Sequence, residues 1–201
     1  MMILRTSAPS PYGRKIKIAA SLLNLDKDFK VETADTNDPA DNLRVQNPLG
    51  KIPILVLADG MTLFDSRVIM EYLDHLAGGR IVPAEPGARF KALRLQALAD
   101  GILDASLLQM YEIRFRTEDR REQKWIDYQK DKVKRSLDVL EKDIPSIDAT
   151  PDVGQIALAC ALGYLDLRFQ GAWRKSYPKL VAWLDDFARR VPSFAKTKVE
   201  A

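Results

Sequence analysis

Asn47-Pro48-Leu49-Gly50-Lys51-Ile52-Pro53 runs into the apolar stretch Ile54-Leu55-Val56-Leu57, and Asp65-Ser66 follows a little further on. Each part has a local reading. The β-rich run 52–57 predicts a strand, and Pro53, which lacks an N–H, belongs at its start. Asp59-Gly60 is a hairpin turn signal, with Met61–Phe64 as the returning strand. Asp65 before Ser66 is a helix start. The helix is expected to reach about Ala77, with Val68, Ile69, Tyr72, Leu73 and Leu76 facing inward. Upstream, Met2–Thr6 is an apolar run fit for a buried strand. Ser10 before Pro11 reads as an N-cap followed by proline at the first helical position. Ile16, Ala19, Ala20, Leu22 and Leu23 give that helix an apolar face. Phe29–Val31 suggests a second strand, and 35–47 reads as polar and irregular. The order is βαβ, then ββα.

Beyond the Gly- and Pro-rich join at 79–87 the texture changes to helix nearly throughout. Helices are expected over about Ala88–Phe115, Glu118–Lys142, Asp152–Phe169 and Pro178–Arg190, with Pro192 as a stop. The third is apolar on all sides, which predicts a helix buried in the middle of its unit. Asp152 and Gln155 have capping-box spacing. The division is thus an α/β unit over 1–78, a linker over 79–87 and an all-helical unit over 88–201.

Of the 201 residues, 46% are hydrophobic and 29% charged, values ordinary for a globular chain. Lys plus Arg is 31 against 28 for Asp plus Glu. Acids and bases interleave, as in Glu118-Asp119-Arg120-Arg121-Glu122, so a nucleic-acid partner is not expected. No apolar run has membrane-span length, and the N-terminus does not read as a signal peptide, so neither a membrane partner nor export is expected. One cysteine, Cys160, excludes an intramolecular disulfide, and one histidine, His75, excludes a His cluster for a metal. A reducing, cytoplasmic setting is the expectation.

With Asn47–Pro53 and Asp65-Ser66 at this spacing, the element order resembles the thioredoxin-like domain of glutathione S-transferases, followed by their all-helical domain. Ser10–Lys15 (Ser-Pro-Tyr-Gly-Arg-Lys) and Ala97–Ile102 (Ala-Leu-Ala-Asp-Gly-Ile) resemble small bacterial members. The resemblance implies glutathione as co-substrate, a small electrophile as second substrate, no metal, and a homodimer built on the long helix and the helix opening at Asp65. It implies a cis bond before Pro53, which puts the Ile52 backbone where it pairs with the cysteinyl backbone of glutathione. Ser66 would hold the γ-glutamyl carboxylate at a helix N-terminus, Asp65 would face the γ-glutamyl amino group, and Lys51 would face the glycyl carboxylate. Asp100 is a further contact, reached across the dimer, with a salt bridge as its other reading. For activation of the thiol the candidate is Ser10, with Ser7 and Tyr12 as alternatives; a cap with no activating role also remains open. Serine at position 10, where related families carry cysteine, excludes a mixed disulfide there. Cys160 reads as a small buried hydrophobe.

The expected activity is therefore transfer of glutathione to an electrophile, with isomerase or dehalogenase variants of the same chemistry. The alternative is a non-catalytic glutathione-binding or protein-interaction member with a stress or regulatory role.

Overall fold

The computed structural model describes residues 1–199. Positions 200 and 201, the end of the range expected for the helical unit, lie outside them. The chain forms β1 (Met2–Thr6), α1 (Pro11–Leu23), β2 (Phe29–Thr33), α2 (Leu43–Gln46), β3 (Ile54–Val56), β4 (Thr62–Leu63) and α3 (Ser66–Leu76). These build a thioredoxin-like unit. The helical unit follows with α4 (Pro86–Phe115), α5 (Gln123–Lys142), α6 (Val153–Phe169), α7 (Pro178–Arg190) and α8 (Pro192–Lys196).

The sheet order is β2-β1-β3-β4, with β1 parallel to β2 and antiparallel to β3, and β3 antiparallel to β4. Period-2 alternation sorts its residues to two faces. Leu4 and Leu55, paired in register, enter the main core with Ile16, Ala19 and Ala20 of α1 and Ile69, Met70 and Leu73 of α3. Ile54 points the other way and forms a small second core with Ala34 and Leu43. Arg5 leaves β1 on that side and donates to Asn42 and Asp41 at 2.8 and 2.7 Å.

Gly13 lets the first turn of α1 sit directly on the end of β1. A Cβ built there would stand 1.9 Å from Thr6 Oγ1. Gly154 does the same between α6 and α4, where a Cβ would come within 2.5 Å of the Ala92 carbonyl oxygen. That approach buries twelve of the seventeen residues of α6. The capping box opens α6 as expected: Asp152 accepts from the Gln155 N–H at 2.8 Å, and Gln155 Oε1 accepts from the Asp152 N–H at 3.2 Å.

Several expectations are corrected in detail. Val68 and Leu76 are each 46% exposed, so the inward stripe of α3 is Ile69, Met70 and Leu73, with Tyr72 half-buried against the same core. The helix expected from 118 to 142 is broken: Glu118–Arg120 is one 3-10 turn, and α5 starts afresh at Gln123 under a cap from Glu122. The polar stretch 35–47 ends in the short helix α2, and α8 follows where Pro192 was expected only to stop α7. Helix α4 begins at Pro86, inside the stretch expected as linker. The join is held by Asp74, whose buried carboxylate accepts from the N–H groups of Arg80, Ile81 and Val82 at 2.6, 2.7 and 3.2 Å.

Candidate functional site

A cleft of about 490 Å³ runs between the two units, within the usual range for a small-molecule site. On the sheet side its wall is the Asn47–Pro53 loop and the N-termini of α1 and α3. On the helical side its wall is α4 and α6.

The loop is templated by Asn47, 2% exposed. Its side chain accepts from the Leu49 N–H and donates to the Lys51 carbonyl, at 3.0 and 2.9 Å. Gly50 turns with φ +62° and donates its N–H to the Asn47 carbonyl. The loop leaves through a cis Ile52–Pro53 bond. Among the described residues, no hydrogen bond uses the Ile52 N–H or carbonyl, and Ile52 lines the cleft just before β3 begins, so this piece of backbone stands open to it. Lys51 is exposed at its rim.

Helix α3 aims its N-terminus into the same space. Asp65 caps it by accepting from the Arg67 N–H at 2.9 Å. Ser66 is buried at the floor, and among the described residues neither its N–H nor its hydroxyl has a hydrogen-bond partner. A first-turn N–H, a hydroxyl and the helix dipole together suit a carboxylate.

Ser10 caps α1. Its oxygen accepts from the Gly13 N–H at 3.1 Å, and its proton is assigned to no acceptor among the described residues. An accepted bond polarises a hydroxyl and makes it a better donor. Ser10 is buried and lines the cleft, as does Ser7. Tyr12 lines it too, but its hydroxyl donates to Asp104 on α4. Burial, then the Asp104 bond, raise the Tyr12 phenol far above its ordinary value. The Tyr12 proton is thus committed to a carboxylate.

Asp100 is 1% exposed, so any salt bridge it makes lies in the interior. Its Oδ1 takes Lys15 Nζ at 2.5 Å, and its Oδ2 takes Arg67 Nε at 3.1 Å. Lys15 is completely buried. This cluster joins α1, the residue after Ser66, and α4. Arg14 lies behind the site, donating to the Phe194 carbonyl at 2.6 Å and stacking 4.0 Å from the Phe194 ring. Burial lowers its guanidinium from the ordinary value. Cys160 is fully buried, and that burial pushes its thiol up to about 11. His75 is exposed in the last turn of α3, away from the cleft lining.

The cleft therefore brings together Ser7, Ser10, Tyr12, Lys51, Ile52, Pro53, Asp65, Ser66 and Asp100. Sequence reasoning missed Lys15 and Arg67 as partners of Asp100, and Arg114 and Arg168 at the outer end. Lys15 did leave a signal. It falls three and four residues before Ile18 and Ala19, on the apolar stripe of its helix, where a cation needs a buried partner.

A thioredoxin-like sheet unit and a helical unit thus face each other across a cleft in which the unbonded Ile52 backbone lies beside a serine-lined helix N-terminus. Residues 9–76 match the family model of the glutathione S-transferase N-terminal domain, and residues 118–186 that of the C-terminal domain. The chain belongs to the glutathione S-transferase family. It is 35% identical to the uncharacterized GST-like protein YibF of Escherichia coli (strain K12), over 98% of both chains. A glutathione transferase family member from Pseudomonas fluorescens Pf-5, solved with bound glutathione, is 36% identical with a TM-score of 0.91 over the whole of both chains. A glutathione S-transferase from Methylobacillus flagellatus, also with glutathione bound, is 36% identical with a TM-score of 0.90 over 98% of each. Among the described residues no helix is long and apolar enough to cross a membrane.

Proposed function

We propose that this chain is a glutathione transferase that binds reduced glutathione along the sheet side of the cleft and activates its thiol for attack on a small electrophile. The bound glutathione of the Pseudomonas and Methylobacillus relatives supports the ligand. In this reading the open Ile52 backbone pairs with the cysteinyl residue. Ser66 takes the γ-glutamyl carboxylate, Asp65 faces the γ-glutamyl amino group, and Lys51 faces the glycyl carboxylate. With both Asp100 oxygens already engaged, its role is to fix Arg67 and α1 rather than to contact glutathione directly.

The observation that carries the chemistry is the division of labour at Ser10: its oxygen is occupied by the cap while its proton is available. A thiol like that of free cysteine titrates near pH 8.5. A hydrogen bond to a charged acceptor contributes about 1.5–3 kcal/mol, which lowers a thiol pKa by about one to two units. The α1 N-terminus acts in the same direction. Ser10 stabilises the nucleophile and forms no bond to substrate; fixed orientation of the two reactants supplies much of the rate.

The protomer also has features that a two-fold dimer explains. Phe90, Ala97 and Gly101 fall at helical spacing on one exposed stripe of α4, and Val68 of α3 is also exposed. Gly101 sits in mid-helix, costing about 1 kcal/mol against alanine, though a Cβ there would meet nothing within the protomer. Close approach of a second copy gives that glycine a reason. A reducing cytoplasmic compartment, where glutathione is a thiol, suits the reading.

Calorimetric titration with glutathione, on wild type and Ser66→Ala, tests binding. The thiolate ultraviolet band of the complex, followed against pH, tests activation. Saturable binding lost in Ser66→Ala, and a bound-thiol pKa raised by about one to two units in Ser10→Ala, are expected. Absence of binding at millimolar glutathione sinks the transferase reading, and an unchanged pKa in Ser10→Ala removes Ser10 from the chemistry.

A further inference from the structure

Resting on the transferase reading, we propose that the helical half of the cleft is built for an anionic electrophile, a planar apolar body bearing a carboxylate, with Arg114 and Arg168 as its anchors. The lining changes character along its length. Near Ser10 and Tyr12 it is polar. Then Leu107, Leu108 and Tyr111 of α4 face Tyr164 of α6. At the outer end stand Arg114, three residues after Tyr111, and Arg168, four residues after Tyr164, each on the same helix face as the ring before it.

The arginines near the cleft divide into two kinds. Arg14 is engaged by the Phe194 carbonyl and Thr197, and Arg67 by Asp100. Arg114 and Arg168 have no carboxylate within 4.0 Å among the described residues. Each lies instead against an aromatic ring, Arg168 5.7 Å from the Tyr164 centroid and Arg114 5.3 Å from that of Phe115. Both occupy the last turn of their helix. The negative helix end offsets about half a charge at each, so a net positive charge faces the opening. Tyr111, Arg114 and Arg168 also converge on Tyr164: burial, with a smaller push from Tyr111, raises its phenol, while Arg168 and Arg114 act on it in the opposite direction.

Two guanidiniums present planar forks of donors that match a carboxylate. Asp104 and Arg114 lie about 15 Å apart along the axis of α4, a distance shortened because the side chain leans toward the helix N-terminus. A ring between the electrophilic carbon and the acid group fits that spacing. With an aryl fluoride, the thiolate lone pair forms the C–S bond, fluoride leaves with the C–F pair, and the thiol proton has already passed to solvent.

The test uses two matched electrophiles, 4-fluoro-3-nitrobenzoate and the neutral 4-fluoro-3-nitrobenzamide, together with their glutathione conjugates. Calorimetry on wild type should show the carboxylate conjugate binding at least about tenfold tighter than the carboxamide conjugate, as expected for a hydrogen-bonded charge. Arg114→Gln and Arg168→Gln, both at exposed positions, should each reduce that ratio, and together abolish it, with the carboxamide conjugate little affected. Equal affinities in wild type, a ratio that survives the double variant, or failure of both conjugates to bind overturns the inference. Turnover, normalised to the uncatalysed rates, separates this from the broader reading. Turnover of both electrophiles without preference leaves the transferase standing and the anion site refuted. Tight carboxylate-conjugate binding without turnover of either leaves the anion site standing and counts against the transferase.

Discussion

Removing either partner of the Lys15–Asp100 pair should unfold this protein at markedly lower denaturant, and removing both should not. Lys15 has no exposed side-chain surface and Asp100 has 2%, so neither charge can turn to water when its partner is lost. Breaking a buried pair from one side costs about 3–5 kcal/mol. The two singles differ in what remains. Lys15→Met leaves Asp100 facing Arg67, a half-exposed cation at 3.1 Å, and belongs near the low end, about 3 kcal/mol. Asp100→Asn leaves the Lys15 ammonium with no carboxylate among its described partners and belongs near the high end, about 5 kcal/mol. The double variant Lys15→Met with Asp100→Leu exchanges the pair for apolar groups of similar volume. It should fall within about 1–2 kcal/mol of wild type, since such replacements are often neutral. Urea unfolding at one fixed protein concentration reads this directly. With a slope of about 2–3 kcal/mol per molar, the singles should lose about 1–2.5 M in midpoint. Losses under about 0.5 M that simply add in the double variant would mean that the pair is solvated, and the argument from burial would fall.

Three further outcomes are expected. Gly13→Ala drives a methyl into Thr6 Oγ1 and should cost about 1–3 kcal/mol, part of it recovered by Thr6→Ala; thermal unfolding of the two singles and the double checks the coupling. Asp74→Ala strands the N–H groups of Arg80, Ile81 and Val82 and should cost about 2–4 kcal/mol, with faster proteolysis around the join, while Asp74→Asn should lose less. The Cys160 thiol is raised from 9.0 to about 11 by burial, so the unfolded chain binds fewer protons than the native one between those values. Stability should be undiminished below pH 9.0 and fall as pH rises toward about 11, by up to about 3 kcal/mol. Cys160→Ala should have a flatter urea midpoint over that range, and equal slopes in the two proteins would count against a buried thiol.

What the sequence made legible is what is local. Ser10 before Pro11, and Asp152 with Gln155, are caps whose donors lie within three residues, and both form as read. The spacing from Asn47 to Ser66 was legible because loop, strand start and helix start are consecutive in the chain, whereas the cis bond before Pro53 followed only from the family resemblance. Exposure was less legible. Val68 and Leu76 suit an inward stripe by residue type, yet only packing decides how wide that stripe is. The break before α5 was hidden because Glu118–Glu122 is a good helical sequence; there the backbone turns so that the Glu122 N–H reaches Glu112, at 3.1 Å. Partners far apart in sequence were not readable at all. Lys15 and Asp100 are 85 residues apart, and Arg114 and Arg168 become neighbours of one cleft only once Gly154 has let α6 settle against α4.

The two charge clusters of this molecule differ in what surrounds them, and ionic strength should tell them apart. Counter-ions reach exposed guanidiniums and screen them over about 10 Å at 0.1 M salt, but they do not enter a dry interior. Lys15 and Asp100 lie in that interior, whereas Arg114 and Arg168 face the solvent. Raising salt should therefore weaken discrimination at the mouth of the cleft while the joint between the two units keeps its strength. A single salt titration thus acts as a switch that dims recognition without loosening architecture.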